Sequence, residues 1–217
     1  ALKRAHDRKC AVLAEFDQHL RNDDWTEKKW QEFFRRNTWI FGHNLLYQFL
    51  STLQNEAHVG GTSLSGRGGQ YTDSLLYTEG DIRFTVVVDI KKPHVALVLD
   101  KTYRNSVHHL GEDLVQGVAQ VQAYCHRWES EGMHQAENRE LLQNENIYTY
   151  QPRGIVVVGH CDQLDSTAKR ATFELFRRNL YNPEVITYDE LYARARFAVY
   201  GALEKKEKSS IPRKYLD

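Results

Sequence analysis

The run Val86-Val87-Val88-Asp89-Ile90-Lys91 constrains this chain more than any other stretch. Three consecutive β-branched residues leave no polar alternation, so a strand there has both faces covered. Side chains alternate faces along a strand with period two. Asp89 and Lys91 therefore point to one side with Thr85 and Val87, and Val86, Val88 and Ile90 point to the other. A charge pair that ends a doubly covered strand is not an ordinary solvent face. Upstream, an apolar segment carries Asp73 and is followed by a turn with Glu79, Gly80 and Asp81. Pairing the two segments as a hairpin brings Asp73 close to Asp89. Two carboxylates and an ammonium then share one end of a sheet. The triplet Asp-x-Lys alone is common by chance and reads as a solvated strand end. Its buried setting gives it weight, because hard oxygen donors beside one ammonium suit a divalent metal and a phosphate.

With 217 residues the chain fits one domain, and 41% hydrophobic with 27% charged residues is a globular composition. Lys+Arg and Asp+Glu both number 29. The zero net charge counts mildly against a strongly basic nucleic-acid binder, although the distribution matters more than the sum. Apolar runs such as Ile155–Val158 are far too short to span a bilayer, so no membrane partner is expected. No signal-peptide pattern is read at its start, and Ala1 in place of Met is expected of a fragment or a trimmed chain. Cys10, Cys125 and Cys161 are scattered and odd in number, which predicts reduced thiols and a cytoplasmic protein. Cys125-His126 and His160-Cys161 make a poor zinc set, because adjacent residues rarely ligate one tetrahedral ion.

Val12, Leu13, Phe16 and Leu20 predict a first helix, either free-standing or the tail of an upstream region. Asp24-Trp25-Thr26-Glu27 has the form of a capping box, opening a helix to about Arg36 with Trp30, Phe33 and Phe34 inward. Glu27 falls beside that apolar face and Glu32 opposite it. Glu27 reads equally as helix-cap electrostatics and as an inward-looking acid. Residues 45–57 predict a strand. Residues 60–69 form a glycine-rich loop, read either as a plain flexible turn or as a mobile loop whose Arg67 meets a phosphate. Lys92-Pro93 stops the hairpin. Asn105 or Ser106 is expected to cap a helix reaching about Trp128, with Leu114, Val118, Val121, Cys125 and Trp128 on its core stripe. Gln116, Gln120 and Tyr124 line the neighbouring face. Residues 129–151 predict a polar surface excursion, and Gly154–Gly159 a buried strand. Residues 162–180 predict a helix with Phe173, Phe176 and Leu180 inward and Lys169, Arg170, Arg177 and Arg178 outward. Residues 183–186 predict a short strand. Thr187-Tyr188-Asp189-Glu190 is a second capping box, opening a helix to about Leu203, with a frayed charged tail beyond.

The pattern Asp73…Asp89-x-Lys91 resembles the PD-(D/E)xK nuclease superfamily, with Thr72 in place of the proline. The order helix, three-stranded meander, helix, strand is also that of its core. The fold class implied is α/β, a restriction-endonuclease-like core with a central mixed β-sheet flanked by helices. Five motifs in order are similar to the nuclease domain of Shedu antiphage defence proteins: E-x-x-W-Q-x-F-F-R-R-N (Glu27–Asn37), D-I-K-K-P (Asp89–Pro93), V-A-Q-V-Q-A-Y (Val118–Tyr124), G-I-V-V-V-G (Gly154–Gly159) and V-I-T-Y-D-E-L (Val185–Leu191). Asp89 stands where that family more often has Glu, and its shorter side chain alters the reach to a metal. The resemblance spans residues 25–200. It implies a nuclease domain over 25–204 between an N-terminal helix or linker (1–24) and a C-terminal tail (205–217). It also implies a defence role, self-association as a dimer or tetramer, and a further sensing region.

The function expected is Mg²⁺- or Mn²⁺-dependent DNA endonuclease. Asp73, Asp89 and Glu27, with Ile90, form the metal-binding set. Lys91 holds the attacking water and neutralises charge on the phosphate. In several families of the superfamily a Q-x-x-x-Y helix packs beside the metal, which gives Gln120 and Tyr124 a positioning role. The other account of these two is that they are boundary residues. Lys92, Arg67, Lys169, Arg170 and Arg177 are the expected DNA contacts, the basic helix face being otherwise a merely solvated one. The competing function classes are a non-catalytic nucleic-acid-binding or assembly domain and a hydrolase of another phosphodiester.

Overall fold

The computed structural model describes residues 2–43, 50–55, 58–60, 70–71, 74–78 and 82–209. In chain order the helices are α1 (Leu2–Asn22), α2 (Glu27–Arg36), α3 (Glu112–Ser130), α4 (Ala136–Asn144), α5 (Thr167–Arg178) and α6 (Tyr188–Ser209). The strands are β1 (Leu50–Asn55), β2 (His58–Gly60), β3 (Gln70–Tyr71), β4 (Ser74–Thr78), β5 (Arg83–Ile90), β6 (Val98–Thr102), β7 (His108–Leu110), β8 (Ile147–Val157) and β9 (Glu184–Ile186). Five strands form a mixed sheet in the order β1-β4-β5-β8-β9. The β1, β4 and β5 pairings are antiparallel, and β8 and β9 join in parallel. This is an α/β fold with a mixed central sheet flanked by helices.

The strand β5 lies at the centre, and its alternation sorts two cores. Val86, Val88 and Ile90 face a core built with Phe16, Trp30, Phe33, Phe34 and Tyr188 from α1, α2 and α6. Val87 faces the other core, with Leu114, Val118, Val121 and Trp128 of α3 and Phe173 of α5. All three valines are fully buried, as their unbroken run requires. The first helix is not a detached appendage. Leu13, Phe16 and Leu20 are buried, and Phe16 packs edge-on against Trp30, Phe33, Phe34 and Tyr192.

Several local expectations change. The N-cap of α2 is Thr26, whose side chain accepts from the Lys29 amide; Asp24 instead meets His19 at 2.7 Å. The cap of α3 is Gly111, five or six residues later than the predicted Ser106 or Asn105. Residues 98–110 form an antiparallel ribbon, β6–β7, and Ser106 sits in its turn at φ 61°. Gly111 caps α3 instead, because it must pass close to Ala96: a Cβ there would lie 1.7 Å from the Ala96 carbonyl oxygen. The polar stretch 129–151 contains α4 and the first half of β8, whose Ile147 and Thr149 are buried. The sixth helix runs on to Ser209 rather than stopping near Leu203. Its capping box is as expected, with the Glu190 carboxylate accepting from the Thr187 amide at 3.2 Å and hydroxyl at 3.0 Å. The glycine-rich residues 61–69, with Arg67, lie outside the described residues, as does Asp73.

Candidate active site

The register that brings Lys91 and Asp89 to one face follows from the strand itself, since β5 runs without a bulge from Val86 to Ile90 against β8. The Lys91 Nζ lies 3.3 Å from Asp89 Oδ1 and 3.1 Å from Oδ2. Asp89 is only 2% exposed. A desolvated carboxylate is stable only beside a cation or hydrogen-bond donors, and the ammonium two residues on provides the first. The Gln120 side-chain carbonyl accepts from Lys91 Nζ at 3.1 Å, and the Gln120 amide donates to the Tyr124 hydroxyl. Asp89, Lys91, Gln120 and Tyr124 thus form one hydrogen-bonded chain between strand and helix.

Two contributors had no place in the sequence expectation. Gly117 lies one turn before Gln120 and lets α3 approach the strand end. A Cβ there would stand 3.2 Å from Val156 Cγ1, 3.3 Å from Asp89 Oδ2 and 3.5 Å from Lys91 Cε. An isolated glycine inside an apolar helical stripe was the available signal. Tyr188 comes from the opposite core and donates its hydroxyl to the Lys91 carbonyl at 2.6 Å. The Lys91 amide donates to Val157 O at 2.9 Å, and the Gly159 amide to Lys92 O at 3.2 Å. The main chain carrying Lys91 is therefore held by the end of β8 beside it and by Tyr188 from one face of the sheet.

Glu27 is the first residue of α2 and half-buried, and α2 packs its Trp30, Phe33 and Phe34 with Val86, Val88 and Ile90. The Ile90 side chain is buried in the core with α1, α2 and α6, so it can reach a metal only through its main-chain carbonyl. Among the described residues no three His, Cys, Asp or Glu side chains cluster as ligands, and Asp73 lies outside them. The donor chemistry at Asp89 is carboxylate and main-chain oxygen, which fits Mg²⁺ or Mn²⁺. Burial pushes the Cys125 thiol up to about 12 and the Cys161 thiol up to about 11.

A family model described as Shedu protein SduA, C-terminal, matches residues 24–192. The chain belongs to the Shedu SduA C-terminal family. A curated relative, Shedu protein SduA of Bacillus cereus (strain B4264), is 34% identical over 178 residues. That match covers 79% of this chain and 45% of the relative, so the chain spans less than half of the relative's length. The Shedu match contains every element of the Asp89–Lys91 site, from Glu27 to Tyr188.

The expected DNA contacts separate. Lys92 points away from Lys91, as period two requires, into a cleft of about 390 Å³ lined also by Asp23, Asp24, Trp25, Thr26 and His94. The helix face expected to be open is largely paired. Lys169 is buried against Asp100 at 2.7 Å and Asp165 at 3.1 Å. Arg177 is held by Glu190 at 2.6 Å and by Glu174, and its guanidinium lies 4.9 Å from the Phe173 ring centroid. Arg170 is exposed, with Nε donating to Leu164 O at 2.8 Å. The acidic partners of Lys169 and Arg177 lie on other elements or on the same helix turn, out of reach of a face-by-face sequence reading.

Burial would raise the Glu190 carboxyl, but hydrogen bonds from Arg177 and Thr187 outweigh it and hold it below its ordinary 4.5. Burial and the Arg177 and Arg178 bonds balance the same way at Glu174. A lowered carboxyl contributes stability above its ordinary value and loses it as pH falls through the folded one. Replacing Glu190 with alanine is expected to cost about 2 kcal/mol near neutral pH, discounted for partial exposure. Thermal melts should show a fall of about 4–8 °C at pH 7 that shrinks toward pH 3. A constant difference across that range would mean that the loss is packing and not charge.

Proposed function

We propose that this chain is the nuclease domain of a Shedu defence protein, hydrolysing DNA phosphodiester bonds with Mg²⁺ or Mn²⁺. The observation that carries the proposal is the buried Asp89–Lys91 pair at the end of β5, tied to Gln120. Family membership and the antiparallel β1–β4–β5 meander beside a parallel β8 support grouping it with the PD-(D/E)xK enzymes. Asp89 and Glu27, the Ile90 carbonyl and, on sequence grounds, Asp73 would hold the metal. When bound, that ion supplies Lewis-acid charge to the phosphate and acidifies a water. Lys91 orients the attacking water and stabilises negative charge developing on the phosphate oxygens. Gln120 fixes the direction of the ammonium, Tyr124 fixes the Gln120 amide, and Tyr188 fixes the main chain beneath them. Phosphate contacts are assigned to Lys92 and Arg170. The ion-paired Lys169 and Arg177 contribute less than an open basic face would.

Supercoiled and linear DNA incubated with Mg²⁺, Mn²⁺, Ca²⁺ or EDTA tests the proposal. Cleavage is expected with Mg²⁺ and Mn²⁺. Ca²⁺ should bind without turnover, because it prefers more ligands in a looser geometry. Full activity in EDTA would remove the metal from the mechanism. DNA binding with no cleavage under any metal would identify a non-catalytic binding module instead.

A further inference from the structure

The β6–β7 ribbon stands between the two elements that build the site. It follows the Lys91 strand end and precedes α3, which carries Gly117 and Gln120. Its base is fixed. The Gly111 amide donates to Leu97 O at 2.9 Å, the Leu97 amide to Gln163 Oε1 at 3.0 Å, and the His108 amide to Thr172 Oγ1 at 3.2 Å. Its tip is open. Lys101, Tyr103, Arg104 and Val107 are all exposed, Tyr103 to 67%. The Arg104 guanidinium lies over the Tyr103 ring at 6.0 Å, and Tyr103 meets His109 edge-on. Neither Lys101 nor Arg104 has a carboxylate partner among the described residues. The one acid of the ribbon, Asp100, is taken by Lys169 at 2.7 Å.

We propose that this ribbon is a DNA-contacting finger, with Lys101 and Arg104 on backbone phosphates and Tyr103 orienting the Arg104 guanidinium. The inference rests on the nuclease proposal for its ligand and adds the surface that grips the duplex. A two-stranded ribbon fits a DNA groove, and an exposed tip of cations and an aromatic has no packing role. Gly111 is about 9 Å along the α3 axis from Gly117, where an added Cβ would stand 3.3 Å from Asp89 Oδ2. A five-residue strand is about 17 Å long. Those lengths match several base-pair steps of about 3.4 Å.

The test is fluorescence anisotropy with a labelled duplex in Ca²⁺, over a salt series, for the wild type and for Lys101→Glu/Arg104→Glu, with thermal melts and light scattering on both. The expected result is a loss of affinity of at least about tenfold and a salt slope smaller by about two charges, with the melt unchanged. Wild-type slope and affinity in the folded variant would overturn the finger and leave the nuclease proposal standing. A wild type that binds no DNA would overturn both. A variant that changes oligomeric state but not DNA affinity would make the ribbon a contact between copies of the chain and overturn the inference.

Discussion

Lys91→Ala is expected to lower single-turnover DNA cleavage by about 10²–10³ while retaining most of the affinity for DNA. The Lys91 ammonium is within hydrogen-bond reach of both Asp89 oxygens and of Gln120, so its removal takes away charge aimed at one point. The wild-type contact is made by a group that strengthens its interaction as charge develops on the phosphate, which is why rate falls more than binding. Asp89 is left buried without its cation, so the melt of the variant should also fall, and Mg²⁺ should restore part of it by binding the folded form. Lys92→Ala is the matched control. Its side chain lines the cleft on the other face with Asp23 and Asp24. It should reduce affinity and lower the salt slope by about one charge with the cleavage rate little changed. Normal cutting by Lys91→Ala would reduce Asp89-Ile90-Lys91 to an ion-paired strand end, and its assignment as the active site would fall.

The second large effect is expected at Gly117. Glycine inside a helix is about 1 kcal/mol worse than alanine, so an alanine there should stabilise the fold if nothing resisted it. The added Cβ would stand 3.2 Å from Val156 Cγ1 and 3.3 Å from Asp89 Oδ2, inside the usual van der Waals spacing. Overpacking of this size costs about 1–3 kcal/mol, so the two terms roughly cancel in Gly117→Ala. Its melt should lie within a few degrees of the wild type, yet cleavage should fall about tenfold, because the Asp89 carboxylate must move by a few tenths of an ångström. Gly117→Val adds two further carbons toward Val156. It should lose both, by about 2–4 kcal/mol in stability and about 10² in rate. Thermal melts with single-turnover kinetics on the pair separate the effects. A more stable Gly117→Ala with full activity would show that the close approach of α3 plays no part in positioning Asp89.

Much of the frame around this site could be read from the chain because its causes are local. The burial of Val86, Val87 and Val88 and the common face of Asp89 and Lys91 follow from the pleat of one strand. The inward set Trp30, Phe33 and Phe34 follows from helical spacing, and the Thr187–Glu190 cap from a four-residue pattern. Where local signals compete, they mislead. Asp24 has the side chain of an N-cap but is drawn to His19, and Thr26 takes the role. Asn105-Ser106 reads as a helix start, but Gly111 is the residue that can pass the Ala96 carbonyl, so the helix begins there and a ribbon forms before it.

The sequence by itself determined the strand that carries the charge pair, the helices that flank it, and the family to which the chain belongs. Only the tertiary structure decided that Gln120 reaches Lys91 and bonds to Tyr124, that Gly117 admits the helix, and that Tyr188 grips the Lys91 carbonyl from the opposite core. It also decided that Lys169 is neutralised by Asp100 and Arg177 by Glu190, which leaves the ribbon cations Lys101 and Arg104 more open than the α5 face. The physical reason is range. Periodicity, caps and turns act over a few residues of chain. Hydrogen bonds, ion pairs and close backbone approach act over a few ångströms of space, between residues that only folding makes neighbours.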